Sequence, residues 1–117
     1  MTELIHRSCK ALPAGTPPLP ASEVAQLMQQ LHGDWELQQQ PSGLKRSVRF
    51  KNYYQTMAFV NAVAWIAHQE DHHPELKVSY NRCVIHYSTH STGGISENDF
   101  ICAAKIDAFL APNAENR

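Results

Sequence analysis

Pro74 is the residue that most constrains this chain, because it separates two segments of different periodicity. A proline lacks the backbone amide that a helix needs, and it restricts the residue before it to extended geometry. Before Pro74, residues 52–70 repeat apolar side chains at helical spacing, and Asn52 is a suitable cap. After it, Leu76 and Val78 alternate with polar residues. The sequence therefore predicts a long helix that ends before Pro74 and a strand that begins after it.

Two further helices are predicted from their caps and their apolar spacing. The first is expected to begin with Ser22 as its cap and to end at Gly33. The last is expected to begin at Ser96, because Asp99 follows three residues later in a pattern close to a capping box. The buried stripe of this last helix is predicted to comprise Ala103, Ile106, Phe109 and Leu110.

Alternating apolar and polar residues predict two hairpins. Their strands are expected over residues 35–39 and 44–50 and over residues 76–80 and 83–88, with turns at residues 40–43 and at Asn81-Arg82. The element order is then helix, two strands, helix, two strands, helix. This order predicts an α+β fold in which three helices cover one face of a four-stranded antiparallel sheet.

The length of 117 residues predicts one domain with a single core. Residues 1–20 contain four of the seven prolines and are expected to form an irregular arm. The domain is expected to occupy residues 21–111, followed by a frayed tail over residues 112–117.

Charge and hydropathy exclude several classes of protein. The net charge of −1 gives no basic excess, so direct binding to nucleic acid is not expected. The longest apolar run, residues 57–67, is about half of the roughly 20 residues that cross a bilayer, and the N-terminus has no apolar signal core. Three cysteines without metal-site spacing indicate reduced thiols, and the chain is expected to be cytoplasmic.

Histidine is the compositional feature that points to chemistry. Five of the seven histidines lie within residues 68–90, and histidine is the side chain that titrates near neutral pH without perturbation. The strand that leaves Pro74 is expected to pair with the strand that precedes His90. Because antiparallel pairing places the start of one strand beside the end of the other, His90 is expected to lie next to His72 and His73. His86 is expected to be a mid-strand residue outside this cluster.

Three converging histidines have four interpretations. They are polar residues at loop ends, metal ligands, partners of a nucleophile, or general acids and bases that act on a bound small molecule. The spacing of His68 and His72 suits a metal, but no cysteine or clear acidic ligand completes the set. No serine or cysteine has the context of an activated nucleophile. General acid–base catalysis fits the cluster best.

The same residues carry a resemblance to a known family. The segments that carry it are Asp71-His72-His73-Pro74-Glu75, Tyr80-Asn81, Ser88-Thr89-His90, Gly94-Ile95-Ser96-Glu97 and Asp99. Together they resemble the signature of the pterin-4a-carbinolamine dehydratases. Trp35 and Phe50-Lys51 also stand where the family has them, so the match runs from about Leu19 to Leu110. The resemblance implies dehydration of a 4a-hydroxytetrahydropterin to a quinonoid dihydropterin by histidine acid–base catalysis, with no metal and no organic cofactor.

The resemblance also implies roles for individual residues. The catalytic residues are His72, His73 and His90; His72 and His90 are the acid–base pair, and His73 mainly holds the pterin. The pocket is lined, besides these, by Asp71, Pro74, Ser88, Thr89 and Ser91. Asp99 is a supporting residue that orients an imidazole or the loop, and the alternative is a first-turn helix carboxylate. Two positions depart from the family: position 68, often acidic, is histidine, and position 76, often aromatic, is leucine.

The expected partners follow from the resemblance and from the apolar surface of the long helix. The substrate is a pterin that an aromatic amino acid hydroxylase produces when it turns over, which implies a functional link to such an enzyme. The long helix is apolar on most of its surface, including Trp65, so a homodimer or homotetramer is expected. The alternative is a protein-binding module of the same fold, a dimerisation cofactor or an assembly chaperone. Such a module has no physical need for three convergent imidazoles.

Overall fold

The computed structural model describes the backbone of residues 3–115 and the side chains of residues 3–111, and it confirms the predicted α+β fold. The helices and strands, in chain order, are α1 (Ala21–Met28), β1 (Glu36–Gln39), β2 (Ser42–Arg49), α2 (Tyr53–Glu70), β3 (Glu75–Ser79), β4 (Arg82–Tyr87) and α3 (Glu97–Glu115). Two short 3-10 turns accompany them, at Leu4–His6 and His90–Thr92.

The four strands form one antiparallel sheet in the order β1-β2-β4-β3. In the central strand β4, Cys83, Ile85 and Tyr87 are fully buried, while the residues between them are more exposed. Strand β2 shows the same alternation, with Leu44 and Arg46 buried. One face of the sheet therefore carries the core, as the period-two pattern predicts.

Helices α2 and α3 cover this face. Phe59 and Val63 of α2 and Ile106 of α3 are each no more than 2% exposed. Burial of each such side chain stabilises the fold by about 1.5–3 kcal/mol relative to exposure. The prediction that Phe109 is buried is wrong, since it is 41% exposed. Its ring meets that of Phe59 at a centroid distance of 6.4 Å, so only part of the ring is covered.

The boundaries of α2 agree with the prediction. The Asn52 side chain accepts a hydrogen bond from the amide of Gln55 at 2.9 Å, which satisfies one of the free amides of the first turn. At the other end, Asp71 adopts a left-handed conformation with φ 53°, and the amide of His72 bonds back to the carbonyl of Ala67. Pro74 lies three residues after Asp71 and immediately before β3, so the chain leaves the helix and enters the strand.

The predicted limits of the first helix need correction. Ser22 does not cap α1; Pro20 occupies the cap position, and its carbonyl accepts a hydrogen bond from Val24. The extended geometry that the proline ring favours is suited to the residue before a helix. The helix ends at Met28, well before Gly33, because the next amides, such as that of Leu31, bond three residues back in tighter turns.

Both hairpin turns differ from the prediction: the first is shorter than predicted, and the second is shifted by one residue. The first turn is only Gln40-Pro41, since Gln39 pairs with Ser42. The second is Tyr80-Asn81 and not Asn81-Arg82, since Ser79 pairs with Arg82. Both carbonyls of this second turn accept hydrogen bonds from outside the hairpin. The Asn81 carbonyl accepts from the amide of Phe50, and the Tyr80 carbonyl accepts from the hydroxyl of Thr56. These tertiary contacts fix the register where no glycine marks a turn.

A partly buried ion pair joins the sheet to α3. The guanidinium of Arg46 in β2 donates to Asp107 of α3 at 2.5 Å, and the Trp35 indole donates to the same carboxylate oxygen at 2.8 Å. The other oxygen of Asp107 accepts from the amide of His32. Because the carboxylate accepts hydrogen bonds from His32 and Trp35, it links the segment between α1 and β1 to α3.

The chain before α1 packs against the helices. Leu4 is 1% exposed, Arg7 forms an ion pair with Glu97, and the amide of Lys10 donates to the side chain of Asn98. At the other terminus, a frayed tail was predicted over residues 112–117. The backbone of α3 is instead helical as far as Glu115. Residues 116–117 lie outside the described part of the chain. Within residues 3–115, no helix has the length and apolar character to cross a bilayer.

Candidate active site

A cavity of about 580 Å³ lies where β4 ends beside the start of β3. Its lining comprises Pro41, Asp71, His72, His73, Glu75, His86, Ser88, Thr89, His90 and Ser91. The antiparallel pairing of β3 and β4 brings these segments together, as the sequence predicts. Of the predicted site residues, only Pro74 and Asp99 are absent from the lining: Pro74 connects α2 to β3, and Asp99 lies beneath His72.

His72 and Asp99 form the most tightly constrained contact of the site. The imidazole Nε2 of His72 donates to the Asp99 carboxylate at 2.6 Å. Asp99 is fully buried, and the side chain of His72 is 15% exposed. A buried carboxylate needs full hydrogen bonding, and the imidazole supplies one of its donors. Within the described residues, the other imidazole nitrogen, Nδ1, makes no hydrogen bond, so it is the nitrogen left for a ligand.

The second oxygen of Asp99 organises the start of α3. It accepts from the backbone amide of Ser96 at 2.9 Å and from the hydroxyl of Thr89 at 2.8 Å. The hydroxyls of Thr89 and Ser96 lie 2.6 Å apart, so the serine hydroxyl can complete the chain of donors. Asp99 therefore contacts both the His72 imidazole and the first turn of α3.

The environment of His72 favours its charged form. Burial lowers the pKa of its imidazole, but the hydrogen bond from Nε2 to Asp99 and the negative charge of that carboxylate raise it, with further contributions from Cys102 and Asp71. The net effect is a His72 pKa above the ordinary value of 6.5. The His72 imidazole is thus more basic than that of a free histidine, and it lies in the cavity wall.

Tyr87 fixes the His72 ring from the core side. The two rings stack with centroids 5.2 Å apart and planes 29° apart. The Tyr87 hydroxyl donates to the backbone carbonyl of His72 at 3.2 Å. Because burial raises the pKa of Tyr87, this hydroxyl remains protonated and can act as the donor. The imidazole is therefore held on one edge by Asp99 and on one face by Tyr87.

His73 and His90 are exposed and approach the cavity from its rim. The Nδ1 of His73 lies 3.4 Å from the carbonyl oxygen of Pro74. His90 begins the turn His90–Thr92, which ends at Gly93 with φ 70°, a conformation that glycine adopts at little cost. The amide of Thr89 bonds to the carbonyl of Gly94, so the turn that carries His90 is closed at its base.

The expectation that His86 lies outside the site is wrong. His86 lines the same cavity, together with Pro41 and Glu75. Glu75 of β3 is the residue that pairs with His86 of β4. The period-two pattern could have indicated this, because His86 and Ser88 project from the same face of their strand. Gly43 of β2 leaves room for the ring: a Cβ on this glycine would lie 2.7 Å from the Nε2 of His86.

The two positions that depart from the family lie away from the cavity lining. His68 is exposed on α2, where its ring meets that of Trp65 at a centroid distance of 5.5 Å. Leu76 is partly buried against the core. As for a metal site, the described side chains contain no group of three or more His, Cys, Asp or Glu residues placed to hold an ion.

Comparison with known proteins identifies the family. The family model described as pterin 4 alpha carbinolamine dehydratase matches residues 17–109. The chain belongs to this family. A relative from Nitrosomonas eutropha is 55% identical over 108 residues, which are 92% of this chain and 94% of the relative. One from Stenotrophomonas maltophilia is 61% identical over 87 residues, 74% of each chain. The names of both relatives assign them provisionally as pterin-4-alpha-carbinolamine dehydratases.

Solved structures of similar fold include two with different descriptions. A transcriptional coactivator/pterin dehydratase from Brucella melitensis superposes with a TM-score of 0.75 and 31% identity, covering 80% of this chain and 99% of that one. A pterin dehydratase-like protein, described as a RuBisCO assembly factor in the alpha-carboxysome, gives a TM-score of 0.59 and 26% identity, covering 68% and 93%. The fold is therefore found in proteins with enzymatic and with assembly descriptions.

Proposed function

We propose that this protein is a hydro-lyase that dehydrates 4a-hydroxytetrahydropterins. The observation that carries the proposal is the His72–Asp99 pair beneath a cavity whose rim holds His73 and His90. The volume of about 580 Å³ is within the usual range for small-molecule sites. The names of the relatives support the same substrate class.

The proposed reaction requires two proton transfers. The bond between carbon 4a and its hydroxyl oxygen breaks, and this oxygen leaves as water after it accepts a proton. A ring nitrogen loses a proton, and its electron pair forms the new double bond of the quinonoid dihydropterin. A positioned imidazole contributes typically 10²–10⁴-fold to such a transfer. No metal or organic cofactor enters this balance.

His72 and His90 are assigned to these two transfers. The pKa of His72 is raised by its contact with Asp99, so His72 is charged at a higher pH than a free histidine and suits the role of the acid. His90, exposed at the rim, is assigned as the base, and His73 as the residue that mainly holds the pterin. Polar groups of Asp71, Ser88, Thr89 and Ser91 are assigned to hydrogen bonds with the heterocycle.

A dehydration assay tests this function. Purified protein is mixed with chemically generated 4a-hydroxytetrahydropterin, and the loss of the hydroxyl is followed by absorbance. We expect a rate well above that of buffer, and we expect His72→Ala and His90→Ala each to slow turnover by roughly 10²-fold or more. His6→Ala is the matched control, because the His6 side chain is 69% exposed on the N-terminal arm. A wild-type rate equal to that of buffer would reject the proposal, and full activity in both site variants would reject the assignment of roles.

A protein-binding role is the second candidate. Tyr54 and Trp65 of α2 are 80% and 59% exposed, which is unusual for large aromatic side chains, and one structural neighbour is described as an assembly factor. We assign this surface first to self-association, as a homodimer or homotetramer. The proposed substrate further implies a hydroxylase that supplies it. We also propose a cytoplasmic location, which suits a protein with three free thiols.

A further inference from the structure

Cys9 and Cys102 lie side by side although they are far apart in sequence. Their sulfur atoms are 3.7 Å apart, one on the N-terminal arm and the other on α3. Cys102 is fully buried, whereas Cys9 is partly exposed to solvent. The third cysteine, Cys83, is buried in β4 and is also a free thiol. The proposed dehydration uses none of these three groups.

The position of Cys9 is fixed by its neighbours along the arm. Its own backbone amide donates to the carboxylate of Glu70 at 2.8 Å. The next residue, Lys10, exchanges two hydrogen bonds with the Asn98 side chain, one through its amide at 3.1 Å and one through its carbonyl at 2.7 Å. The contact between the two sulfur atoms is therefore part of a docked segment, held by bonds on both sides of the cysteine.

We propose that Cys9 and Cys102 form a reversible thiol–disulfide site that links the N-terminal arm covalently to α3. The oxidant is a peroxide or a low-molecular-weight disulfide. The inference rests on the two sulfur atoms and the docked arm, and it is independent of the proposed dehydratase activity.

The geometry requires only a small movement. A disulfide has an S–S distance of about 2.05 Å, so the sulfur atoms must approach by roughly 1.6 Å, within reach of side-chain rotation and a small shift of the arm. The bond would close a loop that spans 93 residues along the chain. Long loops gain most from such a link, because the link restricts the unfolded chain.

With hydrogen peroxide as the oxidant, the chemistry balances in two steps. One cysteine thiolate attacks a peroxide oxygen, the O–O bond breaks, and hydroxide leaves, which gives a sulfenic acid. The sulfur of the second cysteine then attacks the sulfenic sulfur, the S–S bond forms, the S–O bond breaks, and the oxygen leaves as water. The two thiols lose two hydrogen atoms in total, and one peroxide is reduced to two water molecules.

The surroundings of the pair make its two thiols unequal. The hydrogen bond from the Cys9 thiol lowers the pKa of Cys102; burial opposes this, and the Tyr87 hydroxyl and the His72 imidazole act in the same direction as Cys9. The pKa of Cys9 is raised, first by the same hydrogen bond and then by burial. The thiolate that such chemistry requires is therefore favoured at Cys102. Burial raises the pKa of Cys83 to about 11, which makes it the less reactive control.

The test compares reduced protein with protein treated with hydrogen peroxide. Free thiols are counted after denaturation, and cross-linked peptides are mapped by mass spectrometry without reductant. We expect one thiol to remain, at Cys83, with Cys9 and Cys102 joined within one chain. The melting temperature should rise by at least about 5 °C and return to its original value with dithiothreitol.

Three serine variants serve as controls. Cys83→Ser should form the link and show the same rise in melting temperature, whereas Cys9→Ser and Cys102→Ser should show neither. If Cys102→Ser does not fold, Cys9→Ser, on the arm, gives the same comparison. Three free thiols after treatment, a link that involves Cys83, or a link between two chains would overturn the proposal.

Discussion

At the scale of the residue, Asp99 decides the properties of the site. Its two oxygens have different partners: one accepts from the His72 imidazole, and the other accepts from the Ser96 amide and the Thr89 hydroxyl. This carboxylate has no solvent exposure, so the three donors replace the water molecules that would otherwise hydrate it. Burial lowers the pKa of His72, and the residue that raises it most, Asp99, does not line the cavity itself.

Asp99→Asn should lower the pKa of His72, because the substitution removes the negative charge that favours the imidazolium. NMR titration of the His72 ring protons measures this directly. Asp71→Asn is the matched control: it removes a carboxylate that contributes less to the His72 pKa, so the decrease should be smaller. An unchanged His72 pKa in Asp99→Asn would contradict the role of the pair.

The raised pKa of His72 predicts how the stability of the fold changes with pH. The pKa of His72 is higher in the folded protein than the ordinary value of 6.5. The charged pair therefore stabilises the fold fully below about pH 6.5, and this contribution is lost as the pH rises through the folded-state pKa. The difference in unfolding free energy between wild type and Asp99→Asn should accordingly narrow as the pH rises.

At the scale of the element, the close approach of β2 and β4 depends on Gly43. A Cβ at this position would lie 2.5 Å from the Tyr87 carbonyl oxygen and 2.7 Å from the Nε2 of His86. The first contact is with backbone, which cannot rotate away. Strand β2 can therefore place Leu44 opposite Tyr87 only if its preceding residue has no side chain.

Gly43→Ala should destabilise the protein by about 1–3 kcal/mol, because the added methyl group forces the two strands apart. Urea unfolding with and without the substitution measures the change. Gly33→Ala is the control, since no atom lies within 4 Å of a Cβ at Gly33, and it should change the stability by no more than about 0.5 kcal/mol. Equal stability of both variants would show that the strands can adjust.

The elements differ in how far the sequence could predict them. Helix α2 was predictable at both ends, because Asn52 and Pro74 act locally through hydrogen bonding and ring geometry. The turn at Tyr80-Asn81 was misplaced by one residue, because its register is set by contacts with Phe50 and Thr56, which are distant in sequence. Local rules specify an element where local forces dominate, and they fail where tertiary hydrogen bonds decide.

The residues of the site also differ in how far the sequence could predict their positions. Antiparallel pairing predicted that His90 would approach His72, since strand geometry alone is sufficient for that. The inclusion of His86 was missed, although the alternation of β4 contained the signal. The simultaneous contacts of Asp99 with His72 and with the start of α3 could not be derived, because they depend on the packing of α3 against the sheet.

At the scale of the whole molecule, helix α2 has an exposed face that needs explanation. One side of the helix buries Phe59 and Val63, while Tyr54 and Trp65 project outward. Large aromatic side chains contribute strongly to association when they are covered. A second copy of the chain is the partner that the sequence predicted for this face.

Trp65→Glu should shift the protein towards the monomer, because it places a charge within an apolar contact surface. Light scattering after size exclusion should give at least twice the mass of one chain for wild type and a lower mass for the variant. Gln26→Glu, which adds the same charge to an exposed position on α1, should leave the mass unchanged. A monomeric wild type would remove the basis for this expectation.

The contact between His72 and Asp99 joins two residues that are 27 positions apart in the chain. In an unfolded chain they would rarely meet, so the enhanced basicity of the imidazole is created only when α3 docks on the sheet. A fluctuation that opens the first turn of α3 alone would separate Asp99 from the imidazole and return His72 to the behaviour of a free histidine. The proton affinity of His72 is in this sense a reporter of local order in the first turn of α3, even while the rest of the molecule stays folded.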